Sequence, residues 1–271
     1  MTPGFEPFPV PDTIVEPRDS ATIIVARDDL SRLEVFMLER HLDSDFAGGA
    51  YVFPGGTLDD ADLDPALADL VDGWEPLVDD MREPDPDHGR ALIVCAIRET
   101  FEEAGVLLAR ASDGRIVPLA DEPGWEERRR ALAAGELTAL ELAKETGIRY
   151  AADHLRFWSR LVTPTYAHKR YDTRFFVALM PPGQSPLHDD VETTASRWVH
   201  PADAVAASRE GGFTIIFPTR RTLEDVGAFL GADDLFASAI ARPADPICPT
   251  IGILAGEVRV KLPGDETLYE P

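Results

Sequence analysis

Arg98-Glu99-Thr100-Phe101-Glu102-Glu103-Ala104-Gly105-Val106 is the stretch on which the reading of this chain turns. At about 100° per residue, a helix here places Glu99, Glu102 and Glu103 on one narrow face. Like charges so spaced repel by roughly 0.2–0.5 kcal/mol per pair. Arg98 offsets Glu102 at the i,i+4 spacing, which leaves two carboxylates without a cation on the helix. Clustered hard oxygen donors suit Mg2+ or Mn2+, which keep several waters and take further ligands from substrate phosphates. Three glutamates alone more often mark a solvated acidic face. Two features shift that balance. Ile97 and Phe101 make the opposite face apolar, so the helix is packed and its acidic face held in place. Upstream, Phe53-Pro54-Gly55-Gly56 is able to bring a backbone carbonyl close to the same cation.

Working outward, Arg90 to Leu108 reads as one helix, with Ile93, Ile97, Phe101 and Ala104 at helical spacing and Gly105 near its end as a left-handed cap. Cys95 lies in the apolar run 91–97 and reads as a buried thiol. Before it, residues 1–19 hold five prolines and read as an extended lead-in. Residues 21–26 and 33–40 read as strands. The acidic, proline-punctuated segment 63–89 suggests short helical pieces at 65–71 and 77–81. After it, residues 125–134 and 138–146 look helical, within a helical insertion at about 121–156. Strands are expected at 157–162, 170–179, 197–199 and 257–262, and helices at 201–208, 219–230 and 233–240. Strands interspersed with helices give an α/β layered domain.

Gly-Gly followed by Arg-Glu-x-x-Glu-Glu-x-Gly-hydrophobic resembles the Nudix box, Gly-x5-Glu-x7-Arg-Glu-U-x-Glu-Glu-x-Gly-U. Six residues beyond Gly56 stands Asp62, an acid where the family usually has glutamate; 35 residues, instead of seven, separate it from Arg98. The box is intact at both ends and split by about 28 residues. In this it is similar to the branch that contains the vertebrate peroxisomal acyl-coenzyme A diphosphatase and bacterial relatives. Val162-Thr163-Pro164 followed by Arg170 to Phe176, and Glu192 six residues before Trp198, extend the resemblance over about residues 20–230.

The resemblance implies a Nudix-type α/β/α sandwich with a mixed sheet, an insertion within the box at 63–89 and additional helices, occupying residues 20–271. It also implies metal-dependent hydrolysis of a diphosphate linkage in a nucleotide-like metabolite. Coenzyme A or acyl-coenzyme A, giving 3′,5′-ADP and phosphopantetheine, is the first choice; ADP-ribose, a dinucleotide or another nucleoside diphosphate derivative is the alternative. A nucleotide-binding module without catalysis is disfavoured, because all three glutamates and Arg98 are present. By the same resemblance Glu99 and Glu103 are the principal Mg2+ or Mn2+ ligands, with Glu102 beside them and Gly55 supplying a carbonyl. Arg98 joins the catalytic set by orienting the glutamates through ion pairs. The general base is Glu102 or Glu192, with Asp189 and Asp190 as rivals to the latter.

Arg170, Asp172 and Arg174 share one face of a strand. They read first as an ion-pair ladder and second as a grip on substrate phosphate, in which one arginine binds bidentately. Arg40 and His41 are further candidates for phosphate. Tyr51 and Phe53 are placed either on a substrate base or in the core, Trp158 and Trp198 in the core. The insertion at 63–89 either shapes the substrate mouth or is a surface excursion, which costs little.

Composition narrows the partners. The 49 acidic and 26 basic residues leave a formal net charge of −23, the wrong sign for wrapping nucleic acid or lying on an anionic membrane. Two cysteines make neither a disulfide framework nor a zinc motif. No apolar run reaches membrane-span length and no secretory or peroxisomal address is evident, so a cytoplasmic enzyme acting on a small molecule is expected.

Overall fold

The computed structural model describes residues 3–42, 48–119, 124–189, 193–240 and 242–271. Its centre is a mixed sheet. After β1 (Glu6–Pro7) come two long strands, β2 (Arg18–Asp29) and β3 (Arg32–Arg40). Leu30 and Ser31 join them with positive φ at both positions, the twist a two-residue hairpin requires. The short β4 (Tyr51–Val52) pairs with β3, and β5 (Gly55–Thr57) pairs with β2. Farther along, β6 (Val71–Asp72), β7 (Ala109–Arg110) and β8 (Arg149–Ala151) make a small separate sheet. The strands β9 (Leu155–Val162), β10 (Tyr171–Leu179) and β11 (Thr193–Val199) complete the central sheet in the order β11-β3-β2-β10-β9. Within it β2 and β10 are parallel and the other pairs antiparallel.

Helices cover both faces. On one lie α1 (Trp74–Met81), α2 (Pro86–Ala104), α3 (Trp125–Ala133) and α4 (Ala139–Thr146), packed with Ile23, Val25, Phe157 and Phe176. On the other lie α5 (Pro201–Arg209), α6 (Phe217–Val226) and α7 (Ala232–Ser238), packed with Ile24, Met37, Trp158 and Val177. Alternate residues of β2 enter opposite cores, as a strand buried on both faces must. The expected α/β/α sandwich with a mixed sheet is therefore the observed fold. No helix among the described residues is long and apolar enough to cross a membrane.

Three expectations need correction. The glutamate-bearing helix starts at Pro86, not Arg90, because Asp85 caps it through the amides of Asp87 and His88 and Pro86 supplies a preset φ. It stops at Ala104, since Gly105 turns left-handed at φ 63°. The segment 63–89 is neither a wall of the main cavity nor a surface excursion: Leu67, Val71, Leu77, Val78 and Met81 are buried in the core beside α2. Finally, the C-terminal region holds more than one strand. A hairpin of β12 (Thr250–Leu254) and β13 (Glu257–Lys261) turns at Ala255-Gly256 and is flanked by β1 and β14 (Leu268–Tyr269). The lead-in therefore pairs with the C-terminus, Glu6 opposite Ile253.

Candidate active site

The last turns of α2 present the acids. Glu99 and Glu102 both accept from Arg98 Nη1, at 2.9 and 3.1 Å. Arg98 thus serves two of the glutamates, where helical spacing alone assigned it one. Its other edge makes a fork with Asp62, Nε to Oδ1 at 2.9 Å and Nη2 to Oδ2 at 2.8 Å, and Nη2 also donates to the Thr57 carbonyl. Asp62 is fully buried. Glu103 turns the other way, and its Oε2 accepts the Gly55 N–H at 2.9 Å. Gly55 thus meets the glutamate cluster through its amide.

Close packing of β5 against the helix needs glycine. A Cβ on Gly56 would lie 2.3 Å from the Glu99 carboxylate carbon. The same closeness governs the charge. Burial pushes the Glu99 carboxyl up to about 7, against the pull of Arg98 and with the push of Glu102. Burial raises Glu102 as well, again opposed by Arg98. Arg98 loses hydration too, but its hydrogen bonds to Asp62 and the charge of Glu99 hold it firmly protonated. Glu99, Glu102 and Glu103 beside the single guanidinium of Arg98, in the last turns of this helix, leave negative charge that is only partly exposed to water, and a divalent cation would compensate it. Among the described residues no three acidic, histidine or cysteine side chains are already splayed around one point for a metal. One oxygen of each glutamate is instead turned onto Arg98 or the Gly55 amide. The donor chemistry fits a hard cation, and Glu99, Glu102 and Glu103 would hold it.

These acids form one end of a cavity of about 940 Å³. Its floor is the sheet, through Ser20 and Thr22 of β2, Thr173 and Phe175 of β10, and Ser159 and Leu161 of β9. A hydrogen bond of 2.7 Å between the Ser20 and Thr173 hydroxyls ties the two parallel strands at this floor. The walls come from segments that sequence reasoning left without a role. Leu132 to Ala139, from the end of α3 to the start of α4, contributes on one side; Phe217, Arg221 and Asp225 of α6 with Ile247, Ile251 and Leu262 close another. Asp59 and Asp60, also unforeseen, join the acidic end.

The candidate arginines separate cleanly. Arg40 lines the cavity, and its Nε is buried with no hydrogen-bond partner among the described residues. Arg170 and Arg174 do not line it. Their shared strand face is real, but it is the face opposite Tyr171, Thr173 and Phe175, turned toward α2. There Arg174 is buried and pairs with Asp19 at 2.7 Å, Glu83 at 2.8 Å and Asp172 at 3.2 Å. Arg170 donates to the Thr163 and Val15 carbonyls. Both are corrected from substrate ligands to structural cations. Asp189 bonds Thr193, and Asp190 and Glu192 lie outside the described residues. Tyr51 stacks on Phe213 at 4.1 Å, Phe53 is buried while touching the cavity, and Trp158 is in the core. Trp198 is part-buried, packed edge-on against Phe36.

A family model described as the NUDT19 Nudix domain matches residues 79–220, more than half of the chain. The acyl-coenzyme A diphosphatase NUDT19 of Gallus gallus is 29% identical over 88% of this chain and 73% of its own length. Its Homo sapiens counterpart is 26% identical over 87% and 72%. Among solved structures, a NUDIX hydrolase from Alicyclobacillus acidocaldarius aligns with a TM-score of 0.70 and 27% identity, covering 85% of this chain and all of that one. The matched span contains the whole glutamate cluster with Arg98, and the fold agrees from the sheet outward: this chain belongs to the Nudix family and is a Nudix hydrolase of the NUDT19 type.

Proposed function

We propose that this enzyme hydrolyses the diphosphate linkage of coenzyme A or acyl-coenzyme A, releasing 3′,5′-ADP and the corresponding phosphopantetheine, with Mg2+ or Mn2+ at the glutamate cluster. The observation that carries the reading is the meeting of Glu99, Glu102 and Glu103 at one end of a large cavity that also holds the unpartnered Arg40 Nε. A cavity of about 940 Å³ is at the upper end of those that enclose small ligands. It suits a long, two-ended substrate better than a bare nucleoside diphosphate. Relatives named acyl-coenzyme A diphosphatase favour the same choice.

A bound divalent cation would neutralise the diphosphate oxygens and lower the pKa of an attacking water. The protein's own groups do the rest. Arg40 would hold a substrate phosphate with a charge-assisted hydrogen bond. Glu102, or alternatively Glu192, would take a proton from the water as its oxygen joins one phosphorus. The bridging oxygen then leaves with the other phosphorus. Arg98, held by Asp62, keeps Glu99 and Glu102 in place and touches no reacting atom.

The test is a hydrolysis screen of purified protein over coenzyme A, acyl-coenzyme A, ADP-ribose and dinucleoside polyphosphates, with Mg2+, Mn2+ or chelator, and product identification. Metal-dependent formation of 3′,5′-ADP from the coenzyme A compounds is expected. Preference for ADP-ribose or a dinucleotide would overturn the substrate, and equal rates in chelator would overturn the metal.

A further inference from the structure

The cavity has a second end, and a cation waits there. Arg242 lines the cavity at the edge of the sheet formed by β9. Its guanidinium lies 3.8 Å from the centroid of the Trp158 ring, and Nε donates to the Trp158 carbonyl at 3.3 Å. Among the described residues the terminal nitrogens meet no acceptor and no carboxylate lies within ion-pair distance. Asp225, the acid that acts on it through space, is taken by Arg221 at 2.8 Å, and Glu224 is shared between Arg221 and Arg209. Arg242 is therefore left with Asp225 only as a through-space partner beyond ion-pair distance. Burial also pushes the Arg242 pKa down, with Asp225 opposing, as it does for a cation whose lost hydration has not been replaced.

The sheet sets the separation of the two ends. From β5, beside the glutamates, to β9, beneath Arg242, the order is β5-β2-β10-β9. Three strand spacings amount to about 14 Å. A diphosphate held at the glutamates does not itself reach Arg242; a ligand with another anionic group farther along does.

We propose that Arg242 recognises a phosphomonoester that the substrate carries in addition to its diphosphate. Its stacking on Trp158 holds the planar fork in place for bidentate contact with that phosphate. The proposal rests on the reading of this cavity as the diphosphate-hydrolysing site, and it makes the additional phosphate a specificity determinant. Coenzyme A then exceeds 3′-dephospho-coenzyme A as a substrate, and the 2′-phosphorylated form of ADP-ribose exceeds ADP-ribose.

The experiment compares kcat/KM within each of these pairs, whose members differ in one phosphate. Wild-type enzyme is expected to favour the phosphorylated member by roughly ten- to a hundredfold, the value of a hydrogen bond to a charged group. In Arg242→Met that ratio falls toward one. In Arg242→Lys, which keeps the charge and loses the fork, it is intermediate. A wild-type ratio near one, or a ratio that Arg242→Met leaves as it was, overturns the proposal. Calorimetric binding of 3′,5′-ADP against 5′-AMP to the wild-type protein reads the subsite without turnover. Tighter binding of 3′,5′-ADP by tenfold or more supports it, and equal binding overturns it. Absence of hydrolysis of every compound, with 3′,5′-ADP still preferred, would instead remove the catalytic reading and leave the subsite standing.

Discussion

Asp62 and Arg98, 36 residues apart, face each other through two hydrogen bonds of 2.9 and 2.8 Å in the protein interior. This pair closes the split in the glutamate motif. The chain between them folds into the core, and the carboxylate fork of Asp62 aligns the guanidinium whose far edge holds Glu99 and Glu102. An uncompensated cation at this position is costly. Asp62→Asn is therefore expected to destabilise the protein by about 3 kcal/mol, the low end for breaking a buried pair, because Glu99 and Glu102 still face Arg98. Urea unfolding measures it; a loss under about 1 kcal/mol would mean that Asp62 is dispensable to the arrangement.

Glu103→Gln separates charge from shape. Glutamine still offers an oxygen to the Gly55 amide, so the fold and its unfolding midpoint are expected to hold. Turnover in saturating Mg2+ should drop by orders of magnitude, because a neutral amide is a poor ligand for a hard cation. Parental turnover would show that Glu103 is no metal ligand.

Gly56→Ala tests the closeness of β5 to the helix. Gly56 has no positive φ, so the added methyl acts only through space, 2.3 Å from the Glu99 carboxylate carbon. Moving that carboxylate by about 1 Å is expected to lower kcat roughly a hundredfold. A variant with unchanged kcat would place Glu99 outside the chemistry.

Arg40 and Arg174 should behave oppositely. Arg40→Met is expected to reduce kcat/KM by roughly ten- to a hundredfold with little change in stability, through loss of one charge-assisted hydrogen bond to phosphate. Arg174→Met leaves Asp19, Glu83 and Asp172 around an apolar side chain. It should cost about 3–5 kcal/mol in stability while the folded fraction retains kcat/KM. Paired unfolding and kinetic measurements check both, and exchange of the two phenotypes would reverse the assignment.

His88 gives the stability a pH dependence. Its hydrogen bond to Asp19, with Glu83 also at 3.3 Å, raises its pKa, and the same bond chiefly lowers that of Asp19. The His88 contribution is complete below about pH 6.5 and fades as pH rises through the raised value. The Asp19 contribution is present above about pH 3.9 and fades as pH falls through the lowered value. Their joint effect is greatest between about pH 4 and 6.5. Relative to wild type, His88→Gln should lose most stability near pH 5 and progressively less toward pH 9. Urea midpoints at pH 5, 7 and 9 give the comparison; a constant gap across that range would argue against this ionisation.

What the sequence by itself determined is what depends on near neighbours. Helical period brings Glu99, Glu102 and Glu103 to one face, Gly105 ends their helix, and alternation places Arg170, Asp172 and Arg174 together on a strand face. Each follows from backbone geometry over a few residues. Only the tertiary structure decided which strand face meets the cavity, because period two specifies that residues share a side and not what covers that side. The same holds for Asp62 at Arg98, for the wall formed by Leu132 to Ala139, and for Arg242 over Trp158. These contacts join residues 36 and 84 positions apart or elements with no local motif. They exist because burying both faces of one sheet draws distant segments over it, and no short stretch of chain records that meeting.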